Sequence, residues 1–264
     1  MSQRLTIPNR RGLTVRVQID GPEQSSKLVF IAHGQGGYLG QTHIVAFAES
    51  FLANGYKIVR FDATHALGES DGELHDVTYD TYISDLEDVI EWAKGQTWFV
   101  SPFALCGHSM GAQSTTWYAE HHPEEVSLLL PMAPVVNYEL HSSTMTAEFL
   151  NDWQQKGYKE MVSRSRPGVV KRIGWGVEES LKEFDILPLA PKLHMPVFMI
   201  VGSEDEPCPP KHQRVFMNLV GSSRKELIVL DGLEHSYRDA TTGEYGLGAK
   251  QMQELMTDWL KNLE

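Results

Sequence analysis

"FALCGHSMGAQSTTWYAEHH", residues 103–122, passes from a strand-like apolar run through a serine set between glycines into a helix-like segment. FALC has the continuous apolar character of a parallel strand covered on both faces. The spacing Gly107-His108-Ser109-Met110-Gly111 fits G-x-S-x-G, in which a sharp strand-to-helix turn lifts the serine hydroxyl to the end of a sheet. Glycines at such a turn leave room for close backbone approach, and a helix N-terminus favours developing negative charge. A second match, GESDG at 68–72, sits in the polar stretch THALGESDGELHD, beyond its strand and with no apolar helix directly after it. Ser109 is therefore the candidate nucleophile, and Ser70 reads as a loop serine.

The rest of the chain repeats the alternation that this stretch begins. KLVFIA (27–32), YKIVRF (56–61), VSLLLPMA (126–133), VFMIV (197–201) and LIVL (227–230) read as buried strands. Between them, Ile44, Phe47, Ala48 and Phe51 form a helical stripe that Asn54-Gly55 stops, and Leu86, Val89, Ile90 and Ala93 form another that ends near Gly95. Met252, Leu255, Met256, Trp259, Leu260 and Leu263 make a third at the C-terminus. RLTI and LTVRVQI, on either side of PNRRG, read as a leading antiparallel hairpin. Strands alternating with helices predict an α/β fold with a doubly wound, mostly parallel sheet.

One segment breaks the rhythm. Residues 136–189 show no strand signal, only helical and irregular sequence, far longer than an ordinary loop of about 4–6 residues. They are expected to form a small helical lid inserted into a core made of 1–135 and 190–264. The segment holds Tyr138, Phe149, Trp153, Tyr158, Met161 and Trp175. Most of these are expected to pack the insert's own core, with Phe149, Trp153, Tyr158 and Trp175 the candidates for setting substrate choice.

With 23 Lys and Arg against 35 Asp and Glu, the 264-residue chain carries a formal charge of −12, which repels nucleic acid and anionic membrane surfaces. Cys106 and Cys208 make neither a disulfide framework nor a metal-ligand spacing. The start, MSQRLTIPNRRG, has no apolar h-region, and no run approaches a membrane span, so a cytoplasmic location is expected.

A serine hydroxyl becomes nucleophilic only when a base takes its proton. Of the 11 histidines, His235 lies in VLDGLEHSY just after the last apolar strand, at the same sheet edge as Ser109. His121 and His122 fall at the far end of the helix that Ser109 begins, and His108, next to the nucleophile, is expected to point away from it. His43, His65, His75, His141, His194 and His212 have no comparable placement. An acid that orients the base is available in VFMIVGSEDEPCPP, where Glu204, Asp205 and Glu206 compete.

The order Ser109, acid, His235 resembles the α/β-hydrolase superfamily. Gly202, Asp205 and Pro209 match that family's strand-G-x-x-D-x-x-x-P segment, Gly232 to His235 its G-x-x-H, and HGQGG at 33–37 its oxyanion loop. The resemblance implies Ser109, Asp205 and His235 as a catalytic triad, with the backbone N–H groups of Gln35 and Met110 as oxyanion hole and His33 as a brace for the loop. Within the superfamily, the stretches RFDATHALGESDGELHDVTYDTYISDLEDVIEWAK and DILPLAPKLHMPVFMIVG look like those of feruloyl/cinnamoyl esterases and monoacylglycerol lipases. The implied function is a serine hydrolase that cleaves a small-molecule carboxylic ester of a small to medium apolar or aromatic acyl group, with no metal or cofactor. Thioesters and amides use the same residues. Carbon–carbon bond hydrolases share the triad but usually carry asparagine where His108 stands, and non-catalytic relatives typically lose a triad member.

Overall fold

The computed structural model describes residues 2–263. The chain opens with β1 (Ser2–Pro8) and β2 (Thr14–Asp20), then β3 (Leu28–Ala32), α1 (Thr42–Ala53) and β4 (Lys57–Asp62). Next come α2 (Tyr79–Lys94), β5 (Phe103–His108), α3 (Met110–His121) and β6 (Val126–Met132). The insert holds α4 (Tyr138–Ser142), α5 (Ala147–Lys156), β7 (Tyr158–Val162), β8 (Val170–Gly174) and α6 (Gly176–Leu181). Strand β9 (Val197–Gly202), α7 (Pro210–Leu219), β10 (Lys225–Leu230) and α8 (Gly246–Lys261) follow.

Eight strands form the main sheet in the order β1-β2-β4-β3-β5-β6-β9-β10. β2 pairs antiparallel with β1 and with β4, and the remaining neighbours run parallel. Each apolar run read from the sequence is a strand of this sheet, because alternate residues of one strand must satisfy two different apolar layers. Leu28, Phe30 and Ala32 of β3 enter one layer, while Val29 and Ile31 enter the other. β9 divides in the same way, Val197, Met199 and Val201 against Phe198 and Ile200. Helices α2 and α3 cover the first layer with Leu86, Val89, Ile90 and Tyr118. Helices α1 and α8 cover the second with Ile44, Phe47, Phe51, Met252 and Met256. Each fully buried side chain of this kind contributes about 1.5–3 kcal/mol of transfer free energy. No helix among the described residues is long and apolar enough to cross a membrane.

The insert corrects one expectation. It is not purely helical: β7 and β8 pair as an antiparallel hairpin apart from the main sheet. Their sequences, YKEMV and VKRIG, lack apolar alternation because the face turned toward the protein interior carries Lys159 and Lys171. The insert is also tied to the body. Trp153, Ile173, Val177 and Leu181 are buried in the layer that α2 and α3 cover, and the Tyr79 N–H donates to Ser180 Oγ at 3.0 Å. Trp153 joins α5 to the hairpin, its Nε1–H donating to the Ile173 carbonyl at 3.1 Å and its ring meeting Trp175 edge-on at 5.4 Å. Trp153→Ala is expected to destabilise the protein by about 3–5 kcal/mol in urea unfolding. A loss under about 1 kcal/mol would show that the insert does not share the cooperative core of the sheet.

Candidate active site

Ser109 occupies the single position between β5 and α3, with φ 56° and ψ −121°. An L-residue held there costs about 1–3 kcal/mol, so its surroundings must over-determine it. β5 is buried along its length and pairs with β3 on one side and β6 on the other. The Ser109 N–H donates to the Met132 carbonyl at 3.0 Å, and the Ser109 carbonyl accepts the Gln113 N–H at 3.0 Å. Gly111 is required by packing: a Cβ there would lie 2.3 Å from the His33 carbonyl oxygen. That contact presses α3 against the loop after β3 and brings Gly34 so close that its own Cβ would stand 3.0 Å from Ser109 Cβ.

The loop after β3 is held by neutral polar contacts. His33 Nε2 accepts the Ala63 N–H at 3.0 Å, which leaves Nδ1–H to donate to the Gly34 carbonyl at 2.8 Å. Tyr82 Oη–H donates to the same carbonyl at 3.0 Å. Burial pushes the His33 imidazole below its usual range, which suits a brace rather than an acid. Gln35 and Met110 line the cavity beside Ser109, and Met110 is the first helical residue, where the N–H has no partner inside the helix.

The expected acid and base, Asp205 and His235, follow β9 and β10. Asp205 is almost fully buried; its Oδ1 accepts the Cys208 N–H and its Oδ2 the His235 Nδ1–H, both at 2.8 Å. With Nδ1 donating, the lone pair of the neutral imidazole is on Nε2. The two loops can meet because Gly202 lacks a side chain, a Cβ there falling 2.0 Å from the Leu233 carbonyl oxygen. Glu204 and Glu206 are exposed, and Glu204 accepts the Ser203 hydroxyl at 3.0 Å. Ser70 donates to the Asp62 carbonyl at 2.6 Å and accepts the Arg16 N–H at 2.8 Å, the bonding of a structural loop serine.

Ser109, His235, Gln35 and Met110 thus line one cavity of about 570 Å³, with Asp205 behind the imidazole. The roles of three other residues at this site went unrecognised in the sequence. His108 turns away from Ser109, as expected, but its Nε2–H donates to the His235 carbonyl at 2.8 Å and so holds the base loop. The His43 ring lies tilted against His108 at 4.4 Å, and His108 tilted against His235 at 4.6 Å. Burial drives both inner rings toward neutrality, His43 to about 3. Cys208 is the third, its N–H donating to Asp205 Oδ1 and its thiol kept protonated by complete burial. The ligand atoms of Asp205, Cys208 and His235 lie within 4.8 Å of one another, but the Asp205–His235 hydrogen bond already engages two of them.

The expected aromatics of the insert lie elsewhere. Phe149 is exposed, Trp153 is core, and neither they nor Tyr158 and Trp175 line the cavity. The insert wall instead consists of His141, Lys159, Met161, Val162, Arg164, Ser165, Lys171, Ile173, Val177 and Glu178.

A mostly parallel sheet with a serine on its central elbow and an acid and a histidine after later strands defines an α/β-hydrolase. Among solved structures, Est1E of Butyrivibrio proteoclasticus with ferulic acid bound has the same fold, with a TM-score of 0.79 and 20% identity over 98% of both chains. The chain belongs to the family described as serine aminopeptidase, S33, whose model matches residues 23–238. A pyrethroid hydrolase of Sphingobium wenxiniae is 34% identical over 85 residues, 32% of this chain and only 28% of that protein. A thermostable monoacylglycerol lipase of Bacillus sp. strain H-257 is 23% identical over 81% of this chain and 83% of its own.

His108→Phe keeps an aromatic ring between His43 and His235 and removes the donor to the His235 carbonyl. The variant is expected to lose about 1–3 kcal/mol in urea unfolding, the cost of an unpaired buried acceptor. Wild-type stability would mean that this bond does not hold the loop.

Proposed function

We infer that this protein is a carboxylic-ester hydrolase that works through an acyl-enzyme on Ser109. The observation that carries the reading is the 2.8 Å bond from His235 Nδ1–H to buried Asp205, in a cavity shared with a serine at φ 56°. Ser109 Oγ attacks the ester carbonyl while His235 Nε2 takes its proton. Asp205 holds the ring and stabilises the imidazolium. The carbonyl oxygen becomes an oxyanion facing the N–H groups of Gln35 and Met110, each such donor being worth about 10²–10³ in rate. Collapse breaks the bond to the alcohol, which leaves with the proton from His235. Water then attacks the acyl-enzyme, gives its proton to His235, and releases the acid and free Ser109.

The cavity volume suits an acyl group of small to medium size, and Met110, Val135, Ile173 and Val177 supply apolar wall. Residues 136–189 act as its lid in this reading, with the hairpin as the part that meets substrate. Two buried free cysteines, Cys106 and Cys208, are consistent with a reducing compartment.

A fluorophosphonate is expected to label the Ser109 peptide, and Ser109→Ala to abolish both labelling and p-nitrophenyl ester turnover while leaving the melting temperature near wild type. Labelling on another serine would overturn the assignment. Asp205→Asn is expected to lower kcat by about 10⁴, since an amide favours the wrong tautomer. Glu204→Gln and Glu206→Gln should each stay near the wild-type rate; a dead glutamate variant would move the acid to that position.

A further inference from the structure

The hairpin that lines the cavity separates its charges by face. Cross-strand pairs are Lys159 with Ile173, Glu160 with Arg172, and Met161 with Lys171. Since neighbouring residues of a strand point to opposite faces, Lys159, Met161, Lys171 and Ile173 share the cavity side. On the outer face Glu160 and Arg172 neutralise each other at 2.8 Å. Inside, both lysines have apolar residues opposite them. Lys159 has other company: its ammonium stands 3.6 Å from the Trp153 ring centroid, and buried Glu178 attracts it. Arg164 is paired with Glu234, and Arg238 donates to the Arg164 carbonyl while covering the Tyr245 ring.

Lys171 differs from all of these. Among the described residues no carboxylate pairs with it, and burial with no compensating charge pulls its ammonium down to about 8. Its Nζ rests on the loop that carries Gln35, 3.2 Å from where a Cβ on Gly36 would sit, at a glycine whose φ is +58°. A half-buried cation therefore stands over the oxyanion loop, inside the cavity of the nucleophile, without a counterion. The hairpin around it is basic, Lys159, Arg164, Arg166, Lys171 and Arg172 against Glu160, on a chain of net charge −12. A cation held in a partly desolvated site strengthens its interaction with an anion that enters.

We propose that Lys171 selects an ester that carries a carboxylate, binding that group over the Gln35 loop while Ser109 attacks the ester carbonyl. The inference rests on the ester-hydrolase reading and names the charge its substrate bears. The apolar walls receive the carbon skeleton, and the anion supplies the counter-charge that Lys171 lacks. Lys159, which has Glu178 and the Trp153 ring beside it, contributes less.

The test compares two matched pairs at pH 7 with purified full-length protein. One is mono-p-nitrophenyl glutarate against p-nitrophenyl valerate, which puts the charge on the acyl half. The other is 4-acetoxybenzoate against 4-acetoxybenzamide, which puts it on the leaving group. Wild type is expected to prefer the anionic member of at least one pair in kcat/KM, and Lys171→Met to reduce that ratio by about 10- to 100-fold, the worth of a hydrogen bond to a charged group. Lys171→Arg should keep most of the preference, and Lys159→Met should reduce it much less. Turnover with no charge preference in either pair would overturn the inference and leave the hydrolase standing. So would an equal loss on charged and neutral esters in Lys171→Met, which would make Lys171 a stabiliser of the oxyanion. Absence of any Ser109-dependent turnover would remove the hydrolase reading and this inference together.

Discussion

The backbone of Ser109 is held at φ 56° by two elements that cannot both relax. β5 is locked between β3 and β6, and α3 is pressed by Gly111 onto the carbonyls of Ala32 and His33. A larger residue at 111 or a shift of β3 would release the turn and, with it, the approach of the Gln35 loop to the serine. The strain is sustained by burial across both faces of the sheet, where the apolar layers fix strand and helix together. Stability far from the serine is thus converted into position at the serine.

The same logic governs the partners of Ser109. Parallel strands end at one edge, so the loops after β3, β5, β9 and β10 converge there without any need for length. The touching backbones at Gly202 and Leu233 bring Asp205 to His235, and the His108 bond to the His235 carbonyl ties the His235 loop back to the strand that presents Ser109. The His235 imidazole is then backed by two further rings that burial keeps uncharged.

Much of this was legible in the residues alone. Continuous apolar runs identify strands buried on both faces, and the helical stripe of Ile44, Phe47 and Phe51 is the one that covers the sheet. The choice among Glu204, Asp205 and Glu206 could not come from composition. It depends on a turn in which the Asp205 N–H reaches the Gly202 carbonyl and its carboxylate takes the Cys208 N–H. His108 was visible but its role was not, because its partner is distant in the chain. The hairpin was hidden for a physical reason: polarity pattern reports burial against apolar neighbours, and the inner face of β7 and β8 is turned to a polar cavity. The lysines that line that cavity are the residues that erased the strand signal.

The insert leaves the sheet after β6 and returns at β9, both ends anchored in neighbouring strands. Its hairpin makes no ladder bonds with the main sheet. Lys159, Met161 and Lys171 on its inner face, which lie outside the core that holds Ile173, can therefore be exchanged without shifting the register of β5, β9 or β10. Under the proposed hydrolase reading, chemistry and selectivity are written on separate stretches of chain, and descendants of such a scaffold can acquire new substrates by changes within a few hairpin positions while the elbow stays untouched.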